Sequence, residues 1–147
     1  MIFTSRDILS NLSVTKPTVF LAGSIDLELE GNWRNEIVEE LKDDYHFFDP
    51  TRKEHNQMGN FEMQDHIKWE LDALNMSNKI LLNFLPDSKS PVSLIELGLY
   101  MMSSKLIVVC PKSFYKRRYI KTLCQKYNTE LFRNLTEATF HLKHINL

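Results

Sequence analysis

A chain of 147 residues, 43% hydrophobic and 25% charged, is long enough to bury the core of one domain and too apolar for a disordered or fibrous protein. A formal net charge of -1 supplies no global field toward nucleic acid or membrane. Cys110 and Cys124 are too few for a disulfide scaffold and fit a reducing, cytoplasmic setting, and no apolar run approaches the roughly 20 residues that span a bilayer.

Residues 1–17 carry Arg6 and Asp7 where a secretion signal needs its apolar stretch; a loose leader or a short helix packed on an edge is expected there. Residues 18–147 are expected to form a single domain. Thr18 to Ala22 (TVFLA), bounded by Pro17 and Gly23, reads as a buried strand. Asn32 can cap a helix beginning at Trp33, in which Trp33, Ile37, Val38 and Leu41 recur at helical spacing. His46 to Phe48 is a second strand, closed by Asp49-Pro50. After a polar loop over 51–60, a helix follows with Met63, Ile67, Leu71 and Leu74 as its apolar stripe. Lys79 to Leu85 and Lys105 to Cys110 are the third and fourth strands, joined by a helix over about 93–104. A helix over 114–127, with Tyr119, Ile120 and Leu123 inward, leads to a fifth strand at 130–133 and a last helix over 136–144.

Strands this apolar are covered on both faces, which marks a parallel sheet with helices on each side. The expected fold is therefore α/β, a doubly wound five-stranded parallel sheet of flavodoxin-like or Rossmann-like order. In such sheets a ligand binds outside the carboxyl ends of the strands where the order reverses. With the order 2-1-3-4-5, that crevice lies between the loop Gly23-Ser24-Ile25 and the loop from Pro86 to Val92.

Glu96 falls at the rim of this crevice. Ser93-x-x-Glu96 has the spacing of a capping box, in which the two residues close the start of a helix on each other. The helix dipole favours an ionised carboxylate there, so Glu96 is expected as a carboxylate at neutral pH. Leu94, Leu97, Met101 and Met102 define the expected buried face, with Glu96 pointing away from it. In the preceding helix, Glu70 lies beside the apolar stripe and reaches the crevice if the helix starts late, near Asp65; otherwise it is a solvated helix-edge residue. Asp72 falls nearly opposite and is expected to meet water. His46, His55, His66, His141 and His144 show no metal-site spacing; His66 and Glu70 share an i, i+4 face, read as a surface contact, and no metal is expected. The basic segment KSFYKRRYIK, 112–121, reads as a solvated helix face with its aromatics inward, so no nucleic-acid partner is expected.

VFLAGSI (19–25), FFDPTR (47–52), Trp69-Glu70 and SLIELGLY (93–100) occur in this order and at suitable spacing. Together, over residues 18–112, they resemble the nucleoside 2-deoxyribosyltransferase family in its short phage and bacterial branch. The resemblance implies a covalent mechanism without cofactor. Glu96 would attack the anomeric carbon of a 2'-deoxynucleoside, and Glu70 would serve as proton donor or base-orienting group. Gly23, Ser24 and Ile25 would lie along base and sugar, with Asp49 and Pro50 near the base. Asp72, Ser90 and Ser93 complete the expected substrate contacts. Ser90 stands where transferases of the family carry an aspartate, and related deoxynucleoside-monophosphate hydrolases carry a serine there. Ser88, Lys89 and Ser90 could receive a 5'-phosphate. Those hydrolases follow that serine with glycines, whereas here Pro91, Val92 and Leu94 stand. Ser77-Asn78 replaces the family's common Ala-Asp before the third strand. A neighbouring subunit helps complete the site in relatives, so a homo-oligomer is implied. Deoxyribosyl transfer to another nucleobase is the expected activity. The alternatives are hydrolysis of the same ester and a nucleotide-binding module without catalysis.

Overall fold

The structure, a computed structural model, describes residues 1–25, 31 and 33–147. Asn32, the expected cap of the first long helix, lies outside the described residues. Among the described residues six strands form one parallel sheet: β1 (Ile2–Phe3), β2 (Thr18–Gly23), β3 (His46–Phe48), β4 (Lys79–Asn83), β5 (Leu106–Val109) and β6 (Glu130–Phe132). Their spatial order is β1-β3-β2-β4-β5-β6, and every pair is parallel. Five α-helices are described: α1 (Trp33–Leu41), α2 (Asn60–Met76), α3 (Pro91–Tyr100), α4 (Arg117–Lys126) and α5 (Leu135–His144).

The inner strands β2, β3, β4 and β5 are buried on both faces, as their unbroken apolar runs require. Phe20, Ala22, Ile80, Leu82 and Val108 point to one side, where they meet Trp69, Leu74, Leu97 and Ile120 of α2, α3 and α4. Val19, Leu21, Leu81, Ile107 and Val109 point to the other and meet Trp33, Ile37, Leu41 and Leu142 of α1 and α5. Truncating one of these central residues, such as Leu81 at 0% exposure, to Ala would cost about 2–5 kcal/mol.

The α/β class and the order of the five expected strands are borne out. The sheet also has a sixth strand. Residues 2–3 are neither loose nor helical: Ile2 pairs with Phe47 and Phe3 with Phe48, and Phe3 packs on the Phe48 ring at 5.5 Å between centroids. Two residues are too few to show a period, so the pattern carried no sign of this edge.

Three helices differ from expectation in ways that matter for the site. α2 begins at Asn60, not near Asp65, and buries His66, Trp69, Ala73 and Leu74, leaving Ile67 and Leu71 of the expected stripe exposed. α3 begins at Pro91, whose ring fixes φ for a first helical position, with Ser90 before it in the left-handed region (φ 49°). Ser93 is thus inside the first turn, so no Ser93–Glu96 capping box closes this helix. Met102 is exposed, and the buried residues of α3 are Ser93, Leu97 and Tyr100. α4 begins at Arg117 and buries Ile120 and Cys124, while Tyr115 and Tyr119 face outward.

Candidate active site

The sheet's strand order reverses at β2, which places the ends of β2 and β4 side by side, with Gly23 opposite Asn83. Gly23 has φ +146°, and a Cβ there would meet the Asn83 carbonyl oxygen at 2.7 Å. Only glycine lets the two strand ends approach this closely. The chain leaves β2 through Ser24 and Ile25, both half-buried.

Arg34, in the first turn of α1, is buried beneath this loop. Its Nε donates to the Leu21 carbonyl (3.2 Å), Nη1 to Ser24 (3.3 Å) and Nη2 to Gly23 (3.2 Å). The guanidinium also lies 3.8 Å from Asp49 and stacks over Trp33. One buried cation therefore shapes the β2 loop and links it to the end of β3. Asp49 holds the next loop: its Oδ1 accepts from the Thr51 amide (2.9 Å) and the Thr51 hydroxyl (2.7 Å). Pro50 behind it is buried.

Glu96 projects from the second turn of α3, one helical step from buried Ser93 and Tyr100. It shares their face instead of pointing away. Burial pushes its carboxyl up to about 8, the charge of Glu70 adds in the same direction, and the Arg34 guanidinium opposes both. The expected carboxylate at neutral pH is thus corrected: burial and the Glu70 charge favour the protonated acid at Glu96 up to about pH 8. A helix terminus is worth about 0.3–1 kcal/mol to a surface anion in its first turn. Glu96 sits deeper than that turn, and its desolvation outweighs the dipole.

Glu70 is half-buried on the same α2 face as Trp69, Ala73 and Leu74, with His66 Nε2 3.3 Å from its Oε1. The expected surface contact between His66 and Glu70 is a correction too, since the His66 side chain is fully buried. Asp72 stands exposed on another face of α2 and is not part of the carboxyl pair; it acts, with Glu96 and burial, to raise the Tyr100 phenol. The loop after β4 turns back on itself through Ser88, whose hydroxyl donates to the Leu85 carbonyl (3.0 Å) and lies 2.5 Å from the Ser90 hydroxyl. Ser88, Ser90 and Ser93 are all buried, while Lys89 swings out over Tyr115. Among the described residues no group of three or more His, Cys, Asp or Glu is placed to hold a metal ion.

The structure thus couples Glu70 with Glu96, adds Arg34, which pattern reading passed over, and buries His66, which it read as a surface contact. Both carried a signal. Arg34 stands at i to Ile37, Val38 and Leu41 (i+3, i+4, i+7), and His66 at i to Trp69, Glu70 and Ala73. A charged or polar residue in register with a buried stripe is worth reading as buried.

Glu96 keeps its proton to higher pH because it is buried and because the Glu70 carboxylate lies near it. Such a pair can supply an anion and an acid at once. Residues 16–114, more than half of the chain, match the family model described as nucleoside 2-deoxyribosyltransferase like. The match takes in Gly23, Arg34, Asp49, His66, Glu70 and Glu96, and stops before α4. No curated protein matches the chain.

Proposed function

The chain belongs to the nucleoside 2-deoxyribosyltransferase-like family, and from that premise we propose that it cleaves the N-glycosidic bond of a 2'-deoxynucleoside and passes the sugar to another nucleobase. The observation that carries this reading is the Glu96 carboxyl, raised to about 8 by burial and by a second carboxylate, at the reversal of the sheet.

The competent state has Glu96 ionised and the pair's proton on Glu70. A Glu96 oxygen attacks C1' as the electrons of the C1'–N bond leave with the base, and Glu70 gives its proton to the departing nitrogen. The anion also stabilises the oxocarbenium-like charge that develops at C1'. A glutamyl-deoxyribosyl ester remains. An incoming base then attacks C1' from the vacated side, Glu96 leaves as carboxylate, and the proton of the new base returns to Glu70. Gly23, Ser24 and Ile25 form the wall along base and sugar, and Asp49 with Pro50 bounds the base end. Ser90 and Ser93 sit at the helix start on the sugar side.

The high proton affinity of Glu96 has a purpose in this scheme. A desolvated carboxylate is a stronger nucleophile than a solvated one, and the nucleoside, by occupying the crevice, brings a proton acceptor to Glu70. Deoxynucleoside without acceptor base should leave a deoxyribosyl adduct on the peptide containing Glu96, detected by mass spectrometry of the quenched protein. An unmodified peptide under conditions of base release would remove Glu96 as nucleophile.

Water can take the place of the second base, and the buried hydroxyl pair of Ser88 and Ser90 is the observation that favours a 5'-phosphorylated substrate for that hydrolysis. Comparing products with and without free acceptor base separates transfer from hydrolysis. Tight binding with no turnover of any deoxynucleoside would favour the binding-module reading. Val92, Ile95, Leu99 and Met102 form an exposed apolar stripe along α3, next to the face that bears Glu96. That stripe supports a homo-oligomer, since single apolar residues are common on surfaces but a continuous helical stripe is not.

A further inference from the structure

We propose that His66 is a positioning residue for Glu70: its imidazole holds one carboxyl oxygen and leaves the other to carry the proton that goes to the leaving base. The proposal rests on the glycosyl-transfer reading above.

His66 is 2% exposed, and neither of its ring nitrogens has a complete hydrogen bond. A buried ring with both nitrogens unpaired is costly, so the fold must gain something by keeping it. Its Nε2 lies 3.3 Å from Glu70 Oε1, one helical turn away. That contact is long and imperfectly aligned, as catalytic hydrogen bonds often are before substrate arrives. A small rotation of either side chain closes it. With Nε2 protonated, His66 donates to Oε1. The second oxygen of Glu70 is then the one free to give its proton to the base nitrogen and to receive it back.

The ring is itself held. His55, on the loop after β3, packs edge-to-face on His66 with 5.4 Å between ring centroids, and its Nδ1 is likewise without a partner. The titratable and charged groups facing this cluster are His55 and Arg52 on that loop, Glu96 and Tyr100 on α3, and Arg34 on α1, which acts on Glu96. None of them competes for Nε2 in the structure. Burial holds the His55 imidazole below its ordinary range, aided by His66, so His55 is neutral at pH 7 and serves as packing partner and not as a countercharge.

The experiment measures kcat and KM against pH for deoxynucleoside turnover in wild type, His66→Phe, His66→Gln and His66→Asn, and repeats His66→Phe in a Glu70→Ala background. His66→Phe should lower kcat roughly tenfold or more with KM little changed, as expected for a misdirected acid. Without the donor the carboxyl pair keeps its proton more tightly, so the acid limb of the profile should move up by about one pH unit. His66→Gln returns an N–H close to the Nε2 position and should recover most of the rate. His66→Asn, too short to reach, should behave as His66→Phe does and carries the test if the phenylalanine variant does not fold. In the Glu70→Ala background His66→Phe should change nothing further. An unshifted profile in folded His66→Phe or His66→Asn, or an equal loss in the Glu70→Ala background, overturns the positioning role while the function stands. Absence of turnover in wild type overturns the function itself, and this proposal with it.

Discussion

At the amino ends of β2 and β4, polar groups close on one another. Asn78 Oδ1 accepts from the Thr18 amide (2.8 Å) and the Thr18 hydroxyl (3.1 Å), and the Thr18 hydroxyl accepts from the Asn78 amide (3.1 Å). The Ser77 hydroxyl donates to the Leu74 carbonyl as α2 ends, and Lys105 Nζ donates to the Asn75 carbonyl. Toward the carboxyl ends the pattern reverses. Among the described residues, the buried side-chain atoms without a partner are Ser5 Oγ, Trp33 Nε1, His55 Nδ1, both nitrogens of His66, Trp69 Nε1 and Asn83 Nδ2. Each belongs to a strand's carboxyl end or to the segment that follows one. Native interiors leave few such groups unpaired. The same sheet is thus closed by paired side chains at its amino end, while its carboxyl end carries Glu70, Glu96 and buried groups left without a partner. The Ser77-Asn78 departure from the family's usual pair lies at the sealed end, where it changes how the fold closes and not the carboxyl pair.

The sharpest way to break this contrast is to remove the proposed nucleophile. Glu96→Ala should lower turnover by about 10³-fold or more, since covalent catalysis has no substitute nucleophile at that position. The protein should remain folded, because Glu96 caps nothing and leaves no partner orphaned. Steady-state kinetics beside a thermal melt checks both halves; loss of the fold, or retention of the rate, breaks the division of labour between the two ends.

Asn78→Ala is the converse. It strips acceptors from the Thr18 amide and hydroxyl at a buried strand end, which should cost about 1–3 kcal/mol in urea unfolding. kcat and KM per folded molecule should not change. A kinetic effect as large as the stability effect would show that the sealed end is coupled to the crevice.

How much of this was legible follows from what each residue buries. All strands but β1 were plain, because β2, β4 and β5 are apolar on both faces, although β4 ends at Asn83, two residues before the expected Leu85. Glu70 and Glu96 were named from sequence because they recur in short motifs at the ends those strands define. The helix faces were harder. α2 carries two apolar stripes, and hydropathy favoured Met63, Ile67 and Leu71 over the buried one, which includes a histidine and a tryptophan. Pattern reading assumes that apolar means inside, an assumption that fails for Ile67, Leu71, Ile95, Leu99 and Met102, which all lie exposed on α2 and α3 or just beyond. Arg34 was missed for the opposite reason, since a guanidinium is expected in solvent unless the fold offers it three carbonyls. The protonation of Glu96 was out of reach altogether. It depends first on how deeply Glu96 is buried and then on the charge of Glu70 on another helix, and local spacing encodes neither.

The subtlest test of the contrast lies in how stability varies with pH. The Glu96 carboxyl is raised from about 4.5 when unfolded to about 8 when folded. Folding therefore favours its protonated form. Below pH 4.5 both states hold the proton and nothing is lost. Between 4.5 and 8 the unfolded chain ionises while the folded one does not, so stability falls as pH rises, and above 8 the loss is complete. Glu96→Gln stays neutral throughout. Its stability relative to wild type should start near zero at pH 4.5 and grow to about 1–2 kcal/mol by pH 9, allowing for the carboxyl's remaining access to water. Asn78→Ala changes no titrating group and should cost the same at both ends of that range. Urea midpoints for the two variants at pH 5 and pH 9 make the comparison. A constant offset for Glu96→Gln would mean that the crevice already solvates its carboxylate, and the open end of the sheet would then store no proton for the reaction.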